Sequence, residues 1–594
     1  MASETDYAIL APGYGIIQIM EKHLDKSKKE YRYNNPWNWL ISLAVNAVIL
    51  AAVLYATDLV YESNDDFAIA QEILAGYPFV GFVNYYLCKA LIFFQGMLPE
   101  TNAFVLSQIV TSFMALTVIL KVFLDRKSNF FELTAAALIV AFFSFDHYSA
   151  VQFTKTAALL MTAGLLWVVD NYCNERNVFG FIFGFAMFWL GVAYRQKGMF
   201  PALAYAACFM LIWWLINGKE FFKGRKALPE IALVFVVLVF LFAPYGFDKL
   251  SDAKNESTPE LKYFREYQTE RILVTDYPFL DFFDQNEDRY SEAGLSYNDL
   301  EMIDRWIFDY DGAASLENLR TINEINKPYV QKTKSLKGAV MSTLRRAKTS
   351  VMDRDYNGMH ILIVAVIVLY ILFTNRPKAW LYILAFGALS IAVYCAIFYM
   401  QRPQYRALYV ADESAAFWLM YAAMASEKYK AAISKAAGIL ALAACAALII
   451  WMTPNAIERL DSMHYHNTTV IESHEVTAYF ADHEENFYIG PTTTMKQPDS
   501  YTTPLSLPLA PVNVSGTGGW ETLSPYKLSL LGKYGVTNPV TGLIDAEGVY
   551  FFGNRKISIM KEYYNKWYCE EGETIAFEKV DEVGEHGIYR VVRR

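Results

Sequence analysis

Asp65 and Asp66 stand together in Tyr61-Glu-Ser-Asn-Asp-Asp-Phe67, a few residues past the end of the first strongly apolar run. A carboxylate placed there, if it opens onto a cavity, can act as a general base on a hydroxyl or amide acceptor. The same pair also suits the first turn of a helix capped by Ser63 or Asn64, where it would complement the helix dipole. Four cations form a second set. Arg195 and Lys197 occur in Tyr194-Arg-Gln-Lys-Gly198, and Arg402 and Arg406 in Gln401-Arg-Pro-Gln-Tyr-Arg406. Guanidinium forks on tight loops at a membrane surface match a phosphate or pyrophosphate head group, and they equally match snorkelling to lipid phosphates. A third set, Lys155, Asp412 and Glu413, lies inside apolar runs. Ionisable groups in such runs are expected to face a polar substrate cavity or to pair between helices.

The elements that must position these groups are membrane helices. The 594 residues are 54% apolar and 16% aromatic with only 19% charged, against about 25% charged in an average soluble domain. A net charge of -9 argues against a nucleic-acid partner, which would need a basic field. The six cysteines contain no CxxC pair, and no spacing supports a metal centre. A divalent metal is possible but has no support in these spacings, and no cofactor is assigned. Apolar runs of about 16 to 22 residues begin near Trp37, Ala103, Phe130, Phe153, Val178, Met199, Leu228, His360, Ala379, Ala407 and Ala431, which gives about eleven spans. The stretch Phe79 to Met97 is interrupted by Asn84, Lys89 and Gln95. Reading it as an interfacial or re-entrant helix puts about 17 basic residues in the segments of one side and 4 in the short loops of the other, as the positive-inside rule requires.

That topology makes 1–36 a cytoplasmic N-terminal segment without a cleavable signal. Residues 37–452 form a transmembrane module with outer loops 61–102 and 246–358, and 453–594 form an extracytoplasmic domain. The localisation implied is integral to the plasma membrane. In the first outer loop Phe67, Ile69, Ala70, Ile73 and Leu74 have helical spacing, stopped by Gly76 and Pro78. Ser296 and Asp299 stand at capping-box spacing before a helix over Leu300 to Phe308. Toward the C-terminus, Tyr526 to Tyr534 and Ile557 to Trp567 read as helices. Val549 to Phe552, Thr574 to Val580 and Gly587 to Val592 read as strands, so a small α/β domain is expected. Asn255, Asn467 and Asn513 begin N-x-Ser/Thr triplets, a pattern common by chance. No internal repeat is visible.

An acidic pair directly after the first span, in Asn64-Asp65-Asp66-Phe67, an interfacial helix behind it, about eleven spans and a C-terminal outer domain together resemble the GT-C superfamily of membrane glycosyltransferases. The resemblance implies a GT-C-like helical fold. It also implies an enzyme that moves a sugar from a polyprenyl-phosphate-linked donor to an extracytoplasmic glycan or lipid of the cell envelope. Asp65 would then be the base with Asp66 as the alternate, and Arg195, Lys197, Arg402 and Arg406 would hold the carrier phosphate. Tyr77, Tyr85 and Tyr86 would stack on sugar or line an acceptor groove, or serve as interfacial anchors. The WWD-type acceptor signature of oligosaccharyltransferases is absent. Two other readings stay open: a transporter or flippase of envelope precursors, and a non-catalytic protein that binds envelope glycan.

Overall fold

The computed structural model describes residues 36–126, 130–174, 176–221, 227–276, 280, 283–352, 367, 379–401, 403–425, scattered positions from 439 to 461, 474–491, 504–505 and 513–594. Helix α1 (Pro36–Ala56) leads into the two-residue strand β1 (Val60–Tyr61), the amphipathic α2 (Asn64–Leu74) and α3 (Tyr85–Met97). Then come α4 (Ala103–Arg126), α5 (Phe130–Ser149), strand β2 (Ala150–Val151), α6 (Phe153–Asn174), α7 (Val178–Tyr194), α8 (Met199–Phe221) and α9 (Ala227–Asn255). A long connection carries α10 (Pro259–Thr275), α11 (Glu287–Glu292), α12 (Tyr297–Asp304), α13 (Leu316–Thr333) and α14 (Leu336–Met352). The chain then returns through α15 (Ala379–Tyr399) and α16 (Tyr405–Ala425).

Among the described residues six helices are long and apolar enough to cross a membrane: α1, α4, α6, α8, α9 and α15. The apolar parts of α5 and α7 are shorter, and α16 is interrupted by Arg406, Asp412 and Glu413. The runs expected near His360 and Ala431 fall largely outside the described residues. With 13 residues, α3 is about 20 Å long, short of the roughly 30 Å hydrocarbon core, as its interrupted sequence anticipates. The bundle is built around α6, whose apolar window is 89% buried inside the protein, whereas that of α9 is 11% buried and lies at the periphery. Glycines let α7 press against α6 backbone to backbone. A Cβ at Gly191 would sit 2.6 Å from the Ala157 carbonyl oxygen, and one at Gly164 would sit 2.5 Å from that of Gly184.

The C-terminal region contains α17 (His474–Asp482), β3 (Phe487–Gly490), β4 (Val514–Gly516), α18 (Pro525–Lys533) and α19 (Pro539–Asp545). It ends with β5 (Val549–Phe552), α20 (Ile557–Trp567), β6 (Ile575–Val583) and β7 (His586–Arg593). The sheet order is β4-β3-β5-β7-β6, parallel from β4 to β5 and antiparallel across β7 and β6. Its core is not made by this region alone. Tyr267, Leu300, Ile303, Phe308, Leu319 and Ile322 from the α10–α13 segment pack in one cluster with Phe487, Ile489, Phe551, Met560 and Tyr563. One sheet face is thus covered by helices that precede it by more than a hundred residues. Ser296 and Asp299 form the capping box expected of α12, but this helix stops at Asp304, and Trp306 beyond it takes a left-handed φ of 60°. Asn513, one of the three N-x-Ser/Thr asparagines, is buried and donates to the Phe480, His483 and Asn486 carbonyls, so it is a structural staple.

Candidate functional site

The acidic pair is placed by a small tie between two loops. Val60 pairs with Ala150 and Tyr61 with Val151 in parallel, and the Glu62 amide donates to the Val151 carbonyl at 3.1 Å. This fixes the entry into α2 beside the start of α6. The two carboxylates then diverge. Asp66 is buried and accepts from the Phe153 amide at 2.8 Å, the Ser63 hydroxyl at 3.0 Å and the Gln108 amide at 3.2 Å. It therefore caps α6, an element 87 residues away, satisfying one of the orphan N–H groups of that helix. Burial, opposed by these hydrogen bonds, raises its pKa from 3.8 to about 7. The hydroxyl of Ser63, the N-cap residue of α2, makes no capping bond to its own helix.

Asp65 points the other way, into a cavity of about 800 Å³ at the end of the bundle that carries α2 and the sheet domain. Arg195, Lys197 and Arg406 line the same cavity. Arg406, in the first turn of α16, lies 3.3 Å from the Asp65 carboxylate, and both side chains keep about a fifth of their surface exposed. Arg195 is the residue at which α7 ends, and the turn Gln196–Gly198 carries Lys197 next to it. Its guanidinium lies over the rings of Phe82, at 4.7 Å, and Phe153, at 5.2 Å. The Phe82 loop is held to α7 by the Asn84 amide, which donates to the Ala193 carbonyl at 2.9 Å. Arg402 lies outside the described residues.

The remaining expected residues sit elsewhere and do not line this cavity. Lys155 is fully buried, ion-paired to Glu62 and Asp146, bonded to the Ala150 carbonyl at 3.0 Å and set over the Tyr409 ring at 5.2 Å. Glu413 meets His147 at 2.7 Å, and Asp412 accepts from the Tyr394 hydroxyl at 2.7 Å. Tyr77 packs edge-on against Tyr526, Tyr85 against Phe79 and Tyr86, and Tyr86 stacks on Phe247. These are contacts between elements of the fold.

The opposite wall of the cavity comes from residues that no motif marked. Asp252 at the end of α9 pairs with Arg265 of α10 at 2.6 Å, and Arg271 sits over Trp306 at 5.4 Å. Trp520, on a loop after β4, meets Phe82 edge-on at 5.0 Å and belongs to the hydrophobic cluster of the bundle. Their sequence signal is thin. Only the aromatic tract around Tyr263 and the glycine pair before Trp520 stand out. Near this loop lies a buried charged seam. Burial and the neighbouring Glu521 push Glu72 of α2 well above the usual carboxylate range, burial raises Glu521, and burial lowers Lys527.

Among the described residues no group of three or more His, Cys, Asp or Glu converges as metal ligands do. Comparison with known proteins adds no relative: no family model matches the chain, and no curated protein or solved structure is similar enough to place it.

Proposed function

We propose that the chain is a membrane glycosyltransferase of the GT-C type, which it resembles in layout. It would transfer a sugar from a polyprenyl-phosphate-linked donor to an extracytoplasmic envelope glycan or lipid. The observation that carries this reading is the meeting of Asp65 with Arg195, Lys197 and Arg406 on one cavity at one end of the bundle. They come from three segments more than a hundred positions apart in the chain, and each alone has an ordinary structural use. Together they supply a carboxylate that can take a proton and cations that can take the charge of a leaving phosphate.

In the reaction the acceptor oxygen attacks the anomeric carbon as the bond from that carbon to the phosphate oxygen breaks. The acceptor proton passes to Asp65, and the phosphate carries its electron pair into the cluster of cations. The Asp65–Arg406 contact gives this scheme an order. Without donor the two neutralise each other, and a phosphate that takes Arg406 leaves Asp65 free to act as base. Asp66, sealed against the Phe153 amide, holds α6 and the loop in place. The paired states of Lys155, Asp412 and Glu413 give less support to a transporter, which would use such charges along a path. About eleven spans, a cytoplasmic N-terminus and an extracytoplasmic sheet domain belong to the same proposal.

The test uses the full chain in nanodiscs with farnesyl phosphate, a short isoprenyl phosphate. Arg195→Ala and Arg406→Ala should each weaken its binding about tenfold, with Arg406→Lys recovering only part. Inorganic phosphate should compete poorly if a lipid carrier is the ligand, and well if the site takes free phosphate. Unchanged affinity in the double alanine variant would remove the phosphate site. A tag at Arg594 should be open to protease from outside intact cells or spheroplasts, and its protection would reverse the orientation.

A further inference from the structure

We infer that the cavity wall away from the cations is a saccharide subsite, built around a clasp of Trp306 and Trp520. The inference deepens the reading above by naming what enters beside Asp65, yet glycan binding there can be measured without any transfer. Two loops remote in sequence are locked together to present these rings. The Phe308 amide donates to the Thr517 carbonyl at 3.1 Å, and the Thr517 hydroxyl donates to the Trp306 carbonyl at 3.3 Å. The approach is so close that a Cβ on Gly518 would lie 2.3 Å from that same carbonyl oxygen. Trp306 is held at a φ of 60°, a conformation that bulky residues avoid unless the surroundings impose it. Gly519, at a φ of 130°, lets the chain turn so that Trp520 enters the bundle. A third fastener is Gln268, which donates to the Thr522 carbonyl at 2.7 Å while accepting from Arg271 at 2.7 Å.

Both tryptophans line the cavity beside polar side chains, Trp520 with 8% of its surface exposed and Trp306 with Arg271 over its ring at 5.4 Å. Between the tryptophans and the end of α9 the cavity is lined by Asp252, Asn255, Gln268 and Thr269. The Asn255 side-chain oxygen is buried there with no hydrogen-bond partner, an expense normally met by a ligand or water. A sugar ring offers the matching chemistry, an apolar C–H face ringed by hydroxyls that both donate and accept. A lipid chain would leave these polar groups unsatisfied. The wall also runs directly into the cation cluster, because Phe82 touches Trp520 on one side and lies under Arg195 on the other. A saccharide on the clasp would therefore point one end toward Asp65.

The full chain in nanodiscs is applied to an array of linear hexose and N-acetylhexosamine oligosaccharides of two to six units. Retention of at least one series is expected. Trp306→Ala and Trp520→Ala should each lower its affinity about tenfold, with the Phe variants keeping most of it. Asn255→Ala, which removes an amide rather than a core ring, should lower it severalfold and guards against misfolding of the tryptophan variants. Failure to retain any series, or wild-type retention by both tryptophan-to-alanine variants, would overturn the subsite. Farnesyl phosphate binding in the same preparations separates the two ideas. If it still depends on Arg195 and Arg406, only the clasp falls. If glycan is retained while the phosphate site fails, the transfer reading falls and the chain is a glycan-binding protein.

Discussion

Two groups of charges lie within a few residues of one another at the same end of the bundle, and they are built on opposite terms. Lys155, Glu62 and Asp146 are sealed from solvent, mutually ion-paired and tied to the loop backbone. Asp65 and Arg406 are 3.3 Å apart at the edge of a large cavity, with a fifth or more of each side chain open. A partly open pair of this kind contributes on the order of 1 kcal/mol to stability, so holding the fold is a small part of its account. The sealed group is the reverse: removing one member strands the others without solvent, at a cost of about 3–5 kcal/mol. The comparison teaches that the value of a charge in such a bundle is decided by whether its partner can be exchanged.

The sharpest way to break this contrast is Lys155→Met. It leaves the Glu62 and Asp146 carboxylates buried without their lysine, and thermal unfolding in detergent should show the chain destabilised by about 3–5 kcal/mol or not recovered folded at all. Wild-type melting would mean that the sealed group is hydrated after all. Asp65→Asn comes next. Loss of a general base lowers turnover by about 100-fold or more, while the melting transition should stay where it is. Full activity in that variant would return Asp65 to the role of a simple helix-start residue. Arg406→Ala follows, with an expected loss of about tenfold in carrier affinity and little change in stability.

The smallest effect separates the two aspartates. Because the folded state raises the Asp66 pKa from 3.8 to about 7, the folded chain keeps a proton that the unfolded chain has released. Stability from this group is greatest below about pH 4 and declines as the pH rises to about 7, then levels off. Asp66→Asn keeps an acceptor for the Phe153 amide and carries no charge. It should flatten that part of the pH–stability curve and be at least as stable as wild type at pH 8, with transfer retained. A wild-type slope in Asp66→Asn would assign the pH dependence to other groups, the Glu72 seam first among them.

What the sequence discloses about this molecule is what local spacing encodes. The amphipathic pattern from Phe67 to Leu74 gives α2, Ser296 and Asp299 give the capping box, and Val549 to Phe552 is β5 to the residue. Arg195, Lys197 and Arg406 stand out in the sequence as cations on short segments between apolar runs, and the structure puts all three on one cavity. Hidden were the contacts whose partners are far apart in the chain. Nothing near Asp66 reveals that it caps a helix beginning at Phe153, and nothing near Trp306 foretells Trp520. Lys155, Asp412 and Glu413 read equally as cavity residues or as pairs between helices, because a charge facing a cavity and a charge tied to a neighbouring helix leave the same mark in a linear sequence. The boundary at residue 453 followed a change in composition, and composition cannot register that Tyr267 and Phe551 share a core.

That shared core sets a timetable for biogenesis. The α10–α13 segment is synthesised long before the strands that will cover Leu300, Ile303 and Leu319 exist. About 150 residues separate Thr333 from Phe487, an interval of roughly 8–30 s at 5–20 residues per second. During it an apolar face waits uncovered, open to proteases and to holding chaperones. Ribosomes stalled or truncated before β3 should therefore yield a nascent chain cut within 259–333, whereas release of the completed C-terminus should make the same stretch resistant all at once.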